Sequence, residues 1–143
     1  RYAGSKKRIF KEIDKNILTQ FVDLYKKQFN KLFLHKKRLE VGFHQIRIKC
    51  SKEFVGYPVP EGWHKDGFSY VALINFQSSN IGGGVSRIKT SLNKRDTYSS
   101  FLEKGDYILI NDTKYYHYTD PINILGKTKY GNRDTLVITI KFL

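Results

Sequence analysis

Cysteine is nearly absent from this sequence, since Cys50 is the single one among 143 residues. An internal disulfide is therefore impossible, and a metal site built from several thiolates is excluded. A single thiol fits a reducing, cytoplasmic setting. Cys50 falls on a predicted strand without a plausible base partner, so we expect it to be inert core.

Long apolar runs and an initiator Met are also missing. No run approaches the roughly 20 apolar residues that a membrane-spanning helix needs. The Lys/Arg-rich start is not followed by the apolar segment of a secretory signal. We therefore expect no membrane segment and no secretory signal. Because the sequence opens at Arg1, we expect it to be a fragment of a longer chain.

Acidic residues are few, with 13 Asp and Glu against 26 Lys and Arg, which gives a net charge of +13. Such an excess is typical of nucleic-acid-binding proteins. Here the basic residues are spread out, and most fall where a solvated helix face would lie. They show no interleaved aromatic platform of the kind that single-strand binders use. We therefore favour an anionic small ligand, or no specific ligand, over nucleic acid, which stays an alternative.

Among what is present, 40% apolar and 15% aromatic residues are typical of a globular domain. Residues 1–12 are basic and show no periodic pattern. From about Asp14 to Arg38, apolar residues recur at spacings of three and four, which predicts an amphipathic helix packed on a core. Asp14 or Asn16 would cap its start.

From residue 41 onward the pattern changes to the alternation of β-strands. One helix followed by many short strands predicts a mainly β sandwich or barrel with helical support. We expect a single domain, with a basic start and supporting helix in residues 1–38 and the β core in residues 39–143. The first strand, 41–50, would place His44, Ile46 and Ile48 on one face and Phe43, Gln45 and Arg47 on the other. Further strands are predicted at 68–76, 86–90, 107–110, 115–119 and 133–143, with loops or turns at 56–62, 78–84 and 92–100 and an irregular excursion at 121–132.

His64 and Asp66 are the first residues whose spacing indicates chemistry. Residues i and i+2 of a strand point to the same face, so the imidazole and the carboxylate converge on one point. His117, on a later strand, would complete two His and one carboxylate, the ligand set of non-haem Fe(II) oxygenases. Arg133 and Thr135 share a face of the last strand, where a guanidinium beside a hydroxyl suits a bound dicarboxylate.

Each of these residues also has an ordinary structural interpretation. A His-x-Asp pair is a weak signal that often marks a surface ion pair. His117 would serve equally as a core histidine, and Arg133 as the partner of Asp134. The site interpretation is favoured because all these residues occur together, in this order and on predicted strands.

The stretch Pro-Glu-Gly-Trp-His-Lys-Asp-Gly at residues 60–67 resembles the His-x-Asp-Gly motif of 2-oxoglutarate/Fe(II) dioxygenases. In particular it is similar to the bacterial family that includes the free L-isoleucine hydroxylases. The resemblance covers about residues 41–143, and the segments before it match only loosely. Further matching segments are 44–48, 81–88, 112–121 and 131–139.

This resemblance implies a double-stranded β-helix, the jelly-roll or cupin-like barrel of the superfamily, behind an N-terminal supporting helix. It implies that His64, Asp66 and His117 bind Fe(II), while Arg133, aided by Thr135, holds the far carboxylate of 2-oxoglutarate. The implied reaction hydroxylates an aliphatic C–H bond of a small free amino acid or similar metabolite. O2 and 2-oxoglutarate would be converted to succinate and CO2.

Substrate contacts are also carried over from the resemblance. They are expected among the His-Gln-x-Arg strand and the Gly-Gly-x-Ser-Arg segment, where Arg47 or Arg87 would supply a cation for an amino acid's carboxylate. The alternative is that both arginines are outward or edge charges. Val85 stands where the family often has an acidic residue, which is a departure from the pattern. The carried-over substrate residues are His44, Gln45, Arg47, Ser86 and Arg87.

Two other functions remain open from the sequence. One is the same chemistry on a macromolecule, such as oxidative demethylation of nucleic acid, for which the net charge of +13 is the main support. The other is a non-enzymatic jelly-roll module that merely holds a metal. The dicarboxylate clamp at Arg133 argues against the second, because a purely structural metal site has no need of one.

Overall fold

The computed structural model describes residues 2–3, 6–7, 11–36 and 38–143 of the chain. The predicted basic start at residues 1–12 therefore lies partly outside the described residues, as does Lys37 at the end of the predicted helix. Within the start, two short strands, β1 (Tyr2–Ala3) and β2 (Lys6–Lys7), pair antiparallel. The described residues contain no helix long and apolar enough to cross a membrane.

The supporting helix, α1 (Lys15–Gln28), begins where its capping residue predicts. The Asp14 carboxylate accepts hydrogen bonds from the backbone N–H groups of Asn16 and Ile17, at 2.9 and 3.4 Å. The predicted end near Arg38 was wrong, because α1 ends at Gln28 and a 3-10 turn, Asn30–Phe33, follows it. Apolar residues three and four positions apart lie on one side of an α-helix and of a 3-10 turn alike, so the sequence pattern does not show where the α-helix ends and the 3-10 turn begins.

Nearly all remaining elements of the described residues are strands, and every strand pair among these residues is antiparallel. A four-stranded sheet has the order β3-β11-β4-β8, and a three-stranded sheet has the order β7-β6-β9. Two further strands, β5 (Ile81–Gly83) and β10 (Ile122–Ile124), pair with each other. The other strands are β3 (Leu39–Ser51), β4 (Tyr70–Ser79), β6 (Ser86–Lys89), β7 (Tyr98–Ser100), β8 (Tyr107–Asn111), β9 (Tyr116–Thr119) and β11 (Tyr130–Phe142).

This architecture is the predicted jelly roll with a supporting helix, so the predicted fold class is confirmed. One face of the four-stranded sheet packs against α1 and the 3-10 turn. The opposite face forms a smaller core with Leu102 and Ile88 and, beside it, a cavity. The helix-side core consists of Phe21, Tyr25, Phe29, Phe33, Ala72, Ile74, Leu136, Ile138 and Ile140.

Three predicted loops contain strands, and these predictions were wrong in part. The excursion at 121–132 holds β10 and the start of β11, the turn at 78–84 holds β5, and the loop at 92–100 holds β7. Each missed strand has only three residues. At that length the pairing partner, rather than local preference, decides that the segment is a strand.

Candidate active site

A cavity of about 360 Å³ lies between the two larger sheets. Its floor is made by alternate residues of β3 and β11, as the alternation in the first strand predicts, and β9 contributes His117 and Thr119. Both the His-x-Asp segment and Arg133 open into this one cavity. The sheets therefore bring together residues that are far apart along the chain.

His64, Asp66 and His117 meet at one end of the cavity. Backbone hydrogen bonds run both ways between His64 and His117, with N–O distances of 3.2 and 3.0 Å, and place the two imidazoles side by side. The Asp66 carboxylate lies 3.3 Å from Nε2 of His64 and 3.6 Å from Nε2 of His117. One ligand atom from each of the three residues lies within 4.8 Å of the others.

This geometry fits a divalent metal ion held by three ligands on one face. Metal–ligand bonds of about 2.1 Å at right angles put neighbouring ligand atoms about 3 Å apart, close to the distances found here. Nδ1 of His64 lies 2.9 Å from the Gly62 carbonyl and donates to it in the tautomer whose Nε2 lone pair is free for a metal. Nε2 of His117 is buried and has no hydrogen-bond partner among the described residues.

The charges around the metal ligands shift two pKa values in opposite directions. Burial works against a charged His64, but the Asp66 carboxylate, the Gly62 carbonyl and the charge of Glu61 outweigh it and raise the His64 pKa. Burial would raise the pKa of Asp112, yet His117 and the backbone amides of Phe68 and Asp66 lower it below its usual value. The raised pKa of His64 reflects the negative charge of Asp66 and Glu61 beside it, and this charge also suits a bound cation.

Asp112 is a site residue that sequence reasoning missed. Asp112 is 1% exposed, and its carboxylate accepts hydrogen bonds from the backbone N–H groups of Asp66, Gly67 and Phe68, at 3.0, 2.7 and 2.9 Å. It lies in the segment 112–121 that carries part of the family resemblance. Nothing in the sequence separates an Asp that anchors a loop from an Asp in an ordinary turn.

Arg133 lies on the floor of the same cavity and is 2% exposed. Its guanidinium donates to the Gly84 carbonyl at 3.0 Å and to the Ser86 hydroxyl at 3.4 Å. Its Nε has no partner, and no carboxylate of the described residues forms an ion pair with it. Burial lowers its pKa to about 10, so the group stays protonated at neutral pH. A buried cation of this kind suits an anionic ligand.

The other predicted site residues divide between the cavity and the outer surface. Thr135 and His44 line the cavity, and Ser86 is buried beside Arg133. Gln45 and Arg47 do not line it, because they alternate with His44 on β3 and point to the other face.

Both arginines expected to bind a substrate carboxylate already have carboxylate partners. Arg47 pairs with Asp134 through two hydrogen bonds of 2.6 and 2.7 Å. Arg87 pairs with Asp120 through two bonds of 2.8 Å, and with Asp96 at 3.0 Å. The structure therefore does not bring Gln45, Arg47 or Arg87 to the cavity. Glu61, Thr139 and Lys141 line it instead, and sequence reasoning had not singled them out.

Solved structures with a similar fold include IDO from Bacillus thuringiensis, with a TM-score of 0.79 and 25% identity over 99% of this chain. A bsmA homolog from Methylobium petroleophilum PM1 gives a TM-score of 0.71 and 24% identity over 94% of this chain. The Fe(II)/(alpha)ketoglutarate-dependent dioxygenase TqaL gives 0.66 and 18% over 96%. At these identities the last two show the fold alone.

This chain spans 64%, 56% and 59% of those three structures, which is less than two thirds of each. No curated protein sequence matches it. The family model for the 2OG-Fe dioxygenases, however, matches residues 1–139, nearly the whole chain. Together with the jelly-roll fold, this match shows that the chain belongs to the 2OG-Fe dioxygenase family.

Proposed function

We propose that this chain is the catalytic barrel of an Fe(II)- and 2-oxoglutarate-dependent dioxygenase that hydroxylates a small free amino acid or a similar metabolite. One observation carries the proposal: the buried Arg133, without a carboxylate partner among the described residues, opens into the same cavity as His64, Asp66 and His117. A structural metal site explains the three ligands but leaves the cost of burying this cation unexplained.

The residues of the cavity have separate tasks in this proposal. His64, Asp66 and His117 would hold the iron, and Arg133 would bind the far carboxylate of 2-oxoglutarate through two parallel hydrogen bonds, with Thr135 beside it. When bound, iron and 2-oxoglutarate convert O2 and a C–H bond to an alcohol, with release of succinate and CO2. The apolar walls at Leu73 and Val137 would exclude water from the reaction.

A small amino acid is proposed because of the size and charges of the cavity. A volume of about 360 Å³ is at the small end of the roughly 300–1,000 Å³ of small-molecule sites, and the cosubstrate takes part of it. The lining includes the Lys141 amine, which is complementary to the carboxylate group of an amino acid. The family resemblance to free L-isoleucine hydroxylases supports the same class.

The experiment is succinate formation with Fe(II), 2-oxoglutarate and O2 across a panel of free L-amino acids. His64→Ala serves as the inactive control, and Arg47→Met as a matched substitution of a cation outside the cavity. We expect succinate to rise with one small class of amino acids, to vanish in His64→Ala and to persist in Arg47→Met.

Two other outcomes would favour the alternative functions. Succinate that rises only with a methylated oligonucleotide, together with binding that weakens steeply with salt, would favour a nucleic-acid substrate, for which the net charge of +13 is the support. Tight metal retention, with no 2-oxoglutarate-dependent succinate under any condition, would favour a non-enzymatic module.

A further inference from the structure

The buried carboxylate of Asp112 clamps the backbone that carries one of the metal ligands. Asp112 follows β8 directly, whereas Asp66 lies in the loop before β4. Its Oδ1 accepts from the N–H of Asp66 at 3.0 Å, and its Oδ2 accepts from those of Gly67 and Phe68 at 2.7 and 2.9 Å. Three consecutive backbone N–H groups therefore bind the Asp112 carboxylate. They hold the backbone of residues 66–68 in place, and this orients the Asp66 side chain.

The same carboxylate also lies beside a second metal ligand. Oδ1 of Asp112 is 3.4 Å from Nε2 of His117, yet Nε2 is a buried atom without a hydrogen bond among the described residues. An ionised carboxylate has lone pairs and no proton to donate. In the tautomer of neutral His117 that carries its proton on Nδ1, Asp112 is therefore unable to occupy the Nε2 lone pair. This lone pair is what a metal ion needs.

We propose that Asp112 is a positioning residue for the metal site, which orients Asp66 through the backbone and leaves Nε2 of His117 open to the metal. This inference rests on the proposed function, because it takes His64, Asp66 and His117 to be the metal ligands. Asp112 contributes negative charge beside the ion without being one of the three ligands grouped around it. Such partners behind the ligands orient them and tune the affinity for the metal.

The substitution Asp112→Asn separates this role from simple space filling, because Asn has the same shape but only one acceptor oxygen. If its amide group takes the place of Oδ1, it faces the N–H of Asp66 and donates to Nε2 of His117, in competition with the metal. If the amide takes the place of Oδ2, it faces the N–H groups of Gly67 and Phe68, and the loop loses both bonds. Either orientation disturbs a metal ligand.

The matched control is Asp134→Asn. Asp134 is also a buried carboxylate, but it pairs with Arg47 on the face of β11 that points away from the cavity. Mn(II) is the probe because it prefers similar ligands without reacting with O2, and free Mn(II) is counted by electron paramagnetic resonance. We expect Asp112→Asn to weaken Mn(II) binding roughly 10- to 100-fold, while Asp134→Asn stays within about twofold of the unsubstituted protein.

The outcomes separate this inference from the proposed function. Absence of Mn(II) binding by the unsubstituted protein would contradict the metal site itself, and with it the proposed function. Binding by the unsubstituted protein and equally by Asp112→Asn would overturn the role of Asp112 alone. Equal weakening by the two variants would also overturn it, because the loss would then follow from general destabilisation.

A measurement on the unsubstituted protein tests the clamp even where Asp112→Asn does not fold. Asp112 holds the amides of Gly67 and Phe68 without help from a metal, so they should resist hydrogen exchange in the metal-free protein. Addition of Mn(II) should then change their exchange little. Rapid exchange of both amides until Mn(II) is added would overturn the inference, because the metal would then be what orders the loop.

Discussion

The two faces of β11 serve different purposes, although they alternate along a single strand. The face toward α1 is apolar, and Leu136, Ile138 and Ile140 are fully buried in the helix-side core. The opposite face lines the cavity with Arg133, Thr135, Val137, Thr139 and Lys141. The register with β3 and β4 keeps the two sets apart, since a shift of one residue would exchange them.

The contrast is clearest at the neighbours Arg133 and Asp134. Asp134 faces away from the cavity and is paired with Arg47 on β3, so both charges are satisfied. Arg133 faces inward and has only neutral partners, Gly84 and Ser86. The charge of Asp134 is therefore neutralised within the fold, whereas the charge of Arg133 is left for an anionic ligand to neutralise.

The largest effect should come from the core face. Ile138→Ala removes a fully buried side chain beneath α1, and we expect the free energy of unfolding in urea to fall by about 2–5 kcal/mol. Mn(II) affinity, measured where the variant is still folded, should stay unchanged. If a folded Ile138→Ala lost metal binding, the two faces would not be independent.

The next effect is expected at Arg133. Arg133→Met removes the dicarboxylate clamp, and hydrogen bonds to a charged group contribute about 1.5–3 kcal/mol, so 2-oxoglutarate affinity should fall by about 10- to 150-fold. Unfolding free energy should not fall, because a buried cation without a carboxylate partner is removed. Calorimetric titration of the Mn(II)-loaded protein gives the affinity. A loss of stability without a loss of affinity would make Arg133 structural.

A smaller effect should follow from Thr135→Val, which keeps the shape of the side chain and removes its hydroxyl. Thr135 lines the cavity two residues after Arg133, on the same face of β11. Loss of one hydrogen bond of about 1 kcal/mol predicts a roughly fivefold weaker binding of 2-oxoglutarate in the same titration. Unchanged binding would show that the hydroxyl does not reach the cosubstrate.

The smallest effect should be that of Arg47→Met on the outer face. The Arg47 side chain is 61% exposed and lies on the face of β3 that points away from the cavity, so its charge is remote from the cosubstrate. We expect no resolvable change in 2-oxoglutarate affinity. A clear loss of affinity would return Arg47 to the list of substrate or cosubstrate contacts.

The mainly β class and the pairing of His64 with Asp66 were accessible to sequence reasoning because they depend on local periodicity, whereas the jelly-roll topology and the joining of His117 to this pair were expected from the family resemblance. Alternation in residues 41–50 placed His44, Ile46 and Ile48 together, and all three line the cavity. The spacing of His64 and Asp66 likewise put two ligand types on one point. These features require knowledge of only a few neighbouring residues.

The partners of the charged residues were not accessible in this way. Arg47 and Arg87 were expected near the substrate, but their carboxylates come from 87 and 33 residues away. Asp112 likewise bonds to amides 44 to 46 residues away. The arginine that lacks a carboxylate partner among the described residues is identified only by the assembled sheets, because the partners of the other two come from distant parts of the chain.

The position of β11 within the sheet also has a consequence for folding. β11 lies between β3 and β4, although it is made after both of them. Until β11 has been synthesised, the edge of β3 and the edge of β4 that pair with β11 have no native partner. In the native sheet β3 and β4 do not pair with each other. We expect the sheet to close in one late, non-local step, with a folding rate set by loop closure. Until then the edges are exposed to other chains, so slow dilution at low protein concentration should favour refolding over aggregation.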